Sequence, residues 1–577
     1  MTKRPNAGFS TTGSVVARWR ITAVFVLWLL IFGLLGARLF DLQVLRAHRL
    51  ARLAIRQQLE SLHLPGRRGF ILDRAGAPLA VNVVAGSIYA IPRAIPDPKL
   101  FAATVAPALR LTPAEVTARL RRGGPYFAWL ARRQPRDVVE ALRALRLGEV
   151  VGVAPEPRRA YPGGSLAAST IGFVGLDDAG LAGLELQYDG ALHGVAGLGT
   201  ARRDAIGREL VQTERIVAPP RDGDTLQLTI DQVVQHIAER ELARAVDRAN
   251  AQGGAVLVMD PQTGALLAIA TAPTFDPNHY GAAPVARWKN RAVTEVYEPG
   301  STFKLILAAA ALSSRAVDPS EVFSDPGTIR INGATIHDAE PPEHTALTLP
   351  EIVKYSSNVG AAQVATRVGK QRLLTYIRQF GFGRITGIDL PGEVAGIVRP
   401  VGKWFGPSLQ NIGFGQGISV TPIQLLVAVS AFATHGMAAH PHLVEAVRDS
   451  AGHVVATPGN IPPHRVIEPE VADRVLGMMR AVVEGGTGTK ARLDGYPVAG
   501  KTGTAQRPGS AGGYEPGAYV SSFVGIVPAA DPRLTVLVIV DRPRGVYFGG
   551  DVAAPAFREI ARQVLWYLRV PPTQASE

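Results

Sequence analysis

Apolar and polar positions fall into three kinds of block along the 577-residue chain, and each kind predicts a different element. Residues 21–37, Ile-Thr-Ala-Val-Phe-Val-Leu-Trp-Leu-Leu-Ile-Phe-Gly-Leu-Leu-Gly-Ala, are free of charge; Arg38 can snorkel while Leu39 and Phe40 continue the run. Residues 21–40 are therefore expected to span a membrane once. Leu42, Leu45, Leu50 and Leu53 recur near helical spacing, so the helix is expected to continue to Leu62, before Pro65-Gly66 breaks it.

The second kind of block is polar and glycine-punctuated. Two apolar runs around Asp73-Arg74-Ala75-Gly76 predict a hairpin over residues 67–80, with Gly76 supplying a positive φ. Residues 98–150 read as helical and rich in arginine, and a second glycine-punctuated stretch runs from Arg159 to Glu185. Residues 41–221 offer no nucleophile, metal cluster or phosphate loop, which assigns them a structural or partner-binding role. Pro219-Pro220-Arg221-Asp222-Gly223-Asp224 reads as the boundary before a second domain, residues 222–577.

The third kind is apolar and regular. After a strand at 225–230, Val234, Ala238, Leu242, Ala245 and Ala249 recur at three- and four-residue intervals, a helix. Strands follow at 255–260 and 265–270, two more at 521–527 and 534–541, and a closing helix at 554–568. Strands first, helices between and strands last predict an α+β domain with a central antiparallel sheet flanked by helices.

Length and composition add four constraints. The length favours two or three domains. The absence of cysteine excludes disulfides, thiol catalysis and cysteine-ligated zinc. Lys3, Arg4, Arg18 and Arg20 precede the apolar run without an acidic residue, which places residues 1–20 in the cytoplasm and the remainder outside. A cleaved signal peptide is the competing reading, and Gly36-Ala37-Arg38-Leu39 is a poor cleavage site for it. The net charge of +13 is spread over scattered arginines with no aromatic-interleaved stripe. Lipid head groups and cell-wall polymers fit it better than nucleic acid.

The nine lysines stand against fifty-two arginines, and two of them sit where arginine could not do the chemistry. Lys304 lies three residues after Ser301 in Glu298-Pro299-Gly300-Ser301-Thr302-Phe303-Lys304, and Lys501 opens Lys501-Thr502-Gly503-Thr504. A desolvated or crowded lysine can lose its proton and act as a base; arginine stays charged. Pro299-Gly300 signals a helix start, placing the Ser301 hydroxyl near free N–H groups with Lys304 one turn along. Burial and Lys501 are expected to depress the Lys304 pKa. Ser356 and Asn358, in an extended or turn segment, can relay a proton and hold a substrate amide. Thr502 and Thr504 offer hydroxyls to a carboxylate, and Gly503 lets the strand approach substrate. The N–H groups of Ser301 and Thr504 would form an oxyanion hole.

Other motifs are weaker. Gly485-Gly486-Thr487-Gly488-Thr489-Lys490-Ala491 mimics a phosphate loop, but Thr489 and Ala491 stand where glycine and Ser or Thr belong. His440-Pro441-His442 has no carboxylate cluster beyond Glu445, so no metal is implied, and no cofactor.

Ser301-x-x-Lys304, Ser356-Ser357-Asn358 and Lys501-Thr502-Gly503, in that order, are the signature set of penicillin-binding proteins and serine β-lactamases. With Arg68-Gly69-Phe70-Ile71-Leu72-Asp73-Arg74, Gly413-Phe414-Gly415-Gln416-Gly417 and Tyr547-Phe548-Gly549-Gly550-Asp551, the chain resembles a class B penicillin-binding protein; Val482 to Lys490 resembles the division-specific FtsI branch. The resemblance implies an elongated N-terminal pedestal that contacts partners, and a transpeptidase domain. In it Ser301 would attack the D-Ala-D-Ala bond of peptidoglycan stem peptides and be acylated by β-lactams. It further implies septal work with an FtsW-type SEDS glycosyltransferase and other divisome membrane proteins. The Glu-Asp-x-x-Phe motif of bifunctional relatives is absent, so cross-linking without polymerisation is expected. Ser-Ser-Asn in place of Ser-Asp-Asn, and no Glu-x-x-Leu-Asn segment, imply slow penicilloyl hydrolysis. A membrane-bound β-lactam sensor or class D-like β-lactamase is the alternative, although that class carries Ser-x-Val where Asn358 stands; an elongation-type paralogue is another.

Overall fold

The computed structural model describes residues 14–203, 209–341, 344–509 and 512–572. They form two compact units: the described residues up to Gly66 with those of Val195–Arg221, and Arg67–Gly194 with those from Asp222 onward.

In the first unit the helix Ser14–Phe40 carries the apolar run, and its Trp28, Leu29, Leu30 and Phe32 side chains lie exposed. Among the described residues it belongs to the one helical stretch long and apolar enough to cross a membrane, Arg18–Leu45, which points to a membrane anchor. Asp41 accepts from both Arg38 (2.8 Å) and Arg46 (2.9 Å) just beyond the apolar residues. The expected helix to Leu62 stops earlier. Ala47–Gln58 is helical, but Leu59–Leu64 is a strand paired antiparallel with Gly197–Arg203, which in turn pairs with Glu209–Ala218. That partner lies far along the chain, where local leucine spacing cannot register it.

The second unit begins with the expected hairpin. Ile71–Leu72 pairs with Pro78–Ala90, Gly76 takes φ +86°, and Asp73 Oδ1 accepts the N–H of Ala75 (2.9 Å) and Ala77 (2.8 Å). Of residues 98–150, Pro98–Val105, Pro113–Arg122 and Arg136–Ala144 are helical as expected, the second opened by a Thr112/Glu115 capping box. Ala128–Gln134 is instead a strand on Pro78–Ala90, which also pairs with Val151–Ala160. Its inward Ala128 and Leu130 alternate with outward Trp129, a period-two pattern too short to stand out among the arginines.

The rest of this unit is built on helix α1 (Gln232–Arg248), strands β1 (Gly253–Met259) and β2 (Leu266–Ala272), helices α2 (Lys304–Ser313), α3 (Leu349–Tyr355), α4 (Asn358–Val368), α5 (Pro422–Ser430) and α6 (Pro469–Gly485), strands β3 (Ala499–Pro508), β4 (Tyr514–Val527) and β5 (Leu534–Asp541), and helix α7 (Ala554–Tyr567). The strands form one antiparallel sheet in the order β2-β1-β5-β4-β3. Val256, Val258, Val536, Val538 and Phe523 turn to one face, against Leu242 of α1 and Phe557, Ile560 and Val564 of α7. Ala255, Leu257, Leu537, Ile539 and Val524 turn to the other, against Leu305 to Leu312 of α2 and Ile423 to Val429 of α5. Burial on both faces explains why these strands read as continuous apolar runs. β2 and β3 are the edge strands of the sheet, and β3 carries Lys501.

Candidate active site

Helix α2 is entered through a 3₁₀ turn, Gly300–Phe303, and Ser301 sits in that turn. Two glycines make the approach of neighbouring backbone feasible. Gly415, at φ +82°, accepts the Gly300 N–H at 3.1 Å, and a β-carbon on it would stand 2.1 Å from Gly300 O. Glu298, buried just ahead, accepts the Gly417 N–H (2.8 Å) and the Tyr514 hydroxyl (2.9 Å), fastening the turn to the Gly413–Gly417 loop and to β4.

Helix α3 is started by a capping box between Thr348 and Glu351 and stopped by Ser356 in the left-handed region, φ +64°. Ser357 caps α4, its Oγ accepting the Gly360 N–H at 2.7 Å. Ser356 and Asn358 thus flank the junction between two helices, a turn rather than an extended segment. Both reach Lys304, whose Nζ stands 3.2 Å from Ser301 Oγ, 2.8 Å from Asn358 Oδ1 and 3.3 Å from Ser356 Oγ, and also donates to the Ser356 carbonyl. From the opposite side Lys501 Nζ donates to Ser356 Oγ at 2.9 Å and to the Thr502 carbonyl at 3.2 Å. The structure therefore brings Ser301, Lys304, Ser356, Asn358 and Lys501 into one hydrogen-bonded cluster.

Both lysines are essentially inaccessible, at 1% and 0% exposure. Burial pushes the Lys304 pKa down to about 7, with Asp338 and Asp325 pulling weakly upward. Lys501 is lowered by burial and then by the charge of Lys304. Crowding thus acts on Lys501, and Lys304 owes its depression to desolvation; of the two causes the residue pattern had pointed to, burial and Lys501, burial is the one that lowers it. A neutral Lys304 has two N–H groups and one lone pair. The Asn358 and Ser356 carbonyl oxygens take the donors, which leaves the lone pair for Ser301.

Strand β3 places Thr502 Oγ1 2.8 Å from Thr487 Oγ1, while Thr504 Oγ1 accepts the Gly549 N–H at 3.0 Å and keeps its own proton to donate. Gly503 is closely packed by its neighbours. A β-carbon there would meet Ser522 Oγ at 2.3 Å, Thr302 Cγ2 at 3.0 Å and Pro299 O at 3.1 Å, so the glycine admits both the neighbouring strand and the Ser301 turn. Thr487, inside the phosphate-loop look-alike, was not among the candidate residues; nearby Lys490 pairs with Asp551 at 2.6 Å. His440 and His442 do not converge on a common point: His442 Nδ1 faces the His440 carbonyl at 3.1 Å.

Comparison with known proteins gives this arrangement a family. Residues 254–562 match the penicillin binding protein transpeptidase domain, and residues 63–228 the penicillin-binding protein dimerisation domain. Stage V sporulation protein D of Bacillus subtilis is 36% identical over 97% of this chain and 87% of its own length. Peptidoglycan D,D-transpeptidase FtsI of Escherichia coli K12 is 32% identical over 96% and 92%. This chain belongs to the class B penicillin-binding proteins.

Membership makes it a peptidoglycan D,D-transpeptidase, and solved structures carry the same fold. Penicillin binding protein 3 of Mycobacterium tuberculosis, complexed with aztreonam, superposes with a TM-score of 0.69 at 29% identity over 89% of this chain and 99% of that one. A peptidoglycan synthetase from Bifidobacterium adolescentis gives 0.71 at 28% identity over 90% and 98%.

Proposed function

We propose that Ser301 is the nucleophile of stem-peptide cross-linking at the division septum, with Lys304 as its general base. The observation that carries this reading is the fully buried Lys304 Nζ, 3.2 Å from Ser301 Oγ. Ser301 Oγ attacks the carbonyl carbon of the D-Ala-D-Ala bond while Lys304 takes the hydroxyl proton. The N–H groups of Ser301 and Thr504 hold the oxyanion. The carbon–nitrogen bond then breaks, and the departing D-alanine amine receives its proton through Ser356, which Lys501 orients. An amine from a neighbouring stem attacks the acyl-enzyme, and the Ser301 hydroxyl is restored. Thr502 and Thr504 hold the terminal carboxylate, beside Gly503. A β-lactam enters by the same attack and stays, since the chain lacks the Glu-x-x-Leu-Asn deacylation segment of β-lactamases.

The same proposal assigns residues 1–20 to the cytoplasm, 21–40 to the anchor in the cytoplasmic membrane, 41–221 to partner binding and 222–577 to catalysis outside the membrane. FtsW-type SEDS glycosyltransferases and other divisome membrane proteins are the partners of the 41–221 region. Purified protein labelled with a fluorescent penicillin tests the chemistry: label that persists for hours and vanishes in Ser301→Ala supports it, and rapid loss of label sinks it in favour of a β-lactamase. A fluorescent fusion found only at midcell in constricting cells supports the septal assignment, and sidewall patches refute it.

A further inference from the structure

Behind the proposed base lies a pair of carboxyl groups that acyl transfer does not use. Asp325 follows the short strand Val322–Ser324, is 1% exposed, and accepts the Gly327 N–H at 3.1 Å. Asp338 follows the strand Ala334–His337 and makes side-chain contact with Asp325. Asp338 Oδ1 accepts the N–H groups of Asn358 and Val359, the latter at 3.1 Å, which are orphan donors at the start of α4. The adjoining His337 carbonyl accepts Asn358 Nδ2 at 3.0 Å. Asp338 Oδ2 is buried with no hydrogen-bond partner among the described residues.

These contacts decide which end of the Asn358 amide meets Lys304. With Nδ2 held by His337, Oδ1 points to Lys304 Nζ at 2.8 Å. A flipped amide would donate an N–H to the neutral amine's lone pair, the pair needed for the Ser301 proton. We propose that Asp338 is a positioning residue for acylation, which with the His337 carbonyl locks the Asn358 amide so that its oxygen meets Lys304. This inference rests on the reading of Ser301 as nucleophile and Lys304 as base.

The charged groups facing Lys304 are Asp338 and Asp325 from the loops beside α4 and Lys501 from β3. The two carboxyl groups favour its protonated form, so they also bear on the pH at which it works. The second-order rate of acylation by a fluorescent penicillin, measured on the full chain from pH 5 to 9, separates position from charge. Asp338→Asn keeps an acceptor oxygen for the two N–H groups but removes the charge. It is expected to hold the plateau rate within about threefold and to move the acid limb down by roughly half a pH unit. Asp338→Ala loses the acceptor and is expected to lower the plateau at least about tenfold. An alanine variant with wild-type rate and acid limb overturns the inference, as does an asparagine variant as slow as the alanine one. Wild-type protein that takes up no label, or keeps it in Ser301→Ala, removes the acyl-enzyme reading itself; the two failures are thereby told apart.

Discussion

Lys501 Nζ lies 2.9 Å from Ser356 Oγ, across the cluster from Lys304 Nζ at 3.3 Å from the same oxygen. One hydroxyl therefore connects two buried amines. With Lys501 donating to its oxygen, the Ser356 proton is free to move toward a leaving group. Ser356→Ala removes that path and leaves the Ser301–Lys304 contact in place. Its acylation by penicillin is expected to slow by about 10²–10³-fold with an unchanged thermal midpoint, read by stopped-flow labelling beside a melting curve.

Acylation should follow the protonation of Lys304. Its pKa lies near 7 in the folded protein, and in the proposed mechanism the reactive form is the neutral amine. The second-order rate is then flat above that value and falls about tenfold for each pH unit below it. A limb near pH 10, the ordinary lysine range, would mean that the amine is not desolvated.

The same shift acts on stability, in the opposite sense to a salt bridge. Unfolded, Lys304 titrates near 10.5; folded, near 7. Between those values the unfolded chain holds a proton that the folded chain lacks, so stability rises with pH across that window. Lys304→Met removes this contribution, and the difference between the wild-type and variant thermal midpoints should shift in favour of wild type from pH 7 to 9. A difference independent of pH would contradict the depressed pKa.

The contrast between what was legible in the sequence and what was not has physical causes. β1, β2 and β5 are buried on both faces and wrote themselves as apolar runs, and α1 carried a clean helical period. Ala128–Gln134 and Leu59–Leu64 owe their strand state to partners distant in sequence, which no local window holds. Ser301, Lys304 and Lys501 were legible because only certain residue types can perform their chemistry. Asp338 and Thr487 were not, because an aspartate after a histidine or a threonine among glycines acquires meaning only where the fold brings Asn358 or Thr502 beside it. Gly503 was legible as a position where a side chain would intrude, but its crowding by Pro299, Thr302 and Ser522 shows only in the fold.

Glu185 is the centre of the ion network within residues 67–194. It is fully buried and accepts Arg68 Nε at 2.6 Å, Arg159 Nε at 2.7 Å and the Tyr161 hydroxyl at 3.3 Å. Removing it leaves two buried guanidinium groups without their shared carboxylate. Glu185→Ala is expected to cost about 3–5 kcal/mol, seen as a lower midpoint in denaturant and early proteolysis within residues 67–194. Glu185→Gln keeps one acceptor and should fall between.

Gly415 and Gly417 offer a matched test of how the Ser301 turn is held. Both adopt positive φ, +82° and +75°, so alanine at either position carries the strain of the left-handed region, about 1 kcal/mol. Their surroundings differ. A β-carbon on Gly417 has its nearest neighbour, Ile412 Cγ1, at 3.8 Å, whereas one on Gly415 would meet the Gly300 oxygen at 2.1 Å and nitrogen at 2.7 Å. The second clash is with backbone and cannot be relieved by turning a side chain, so it must displace the residue that precedes Ser301. Gly417→Ala is expected to lower the thermal midpoint slightly and to keep acylation within about threefold of wild type. Gly415→Ala is expected to lower acylation at least about tenfold and the midpoint further. Equal effects at the two positions would mean that backbone strain alone matters, and that the Gly415–Gly300 contact does not set the position of the nucleophile.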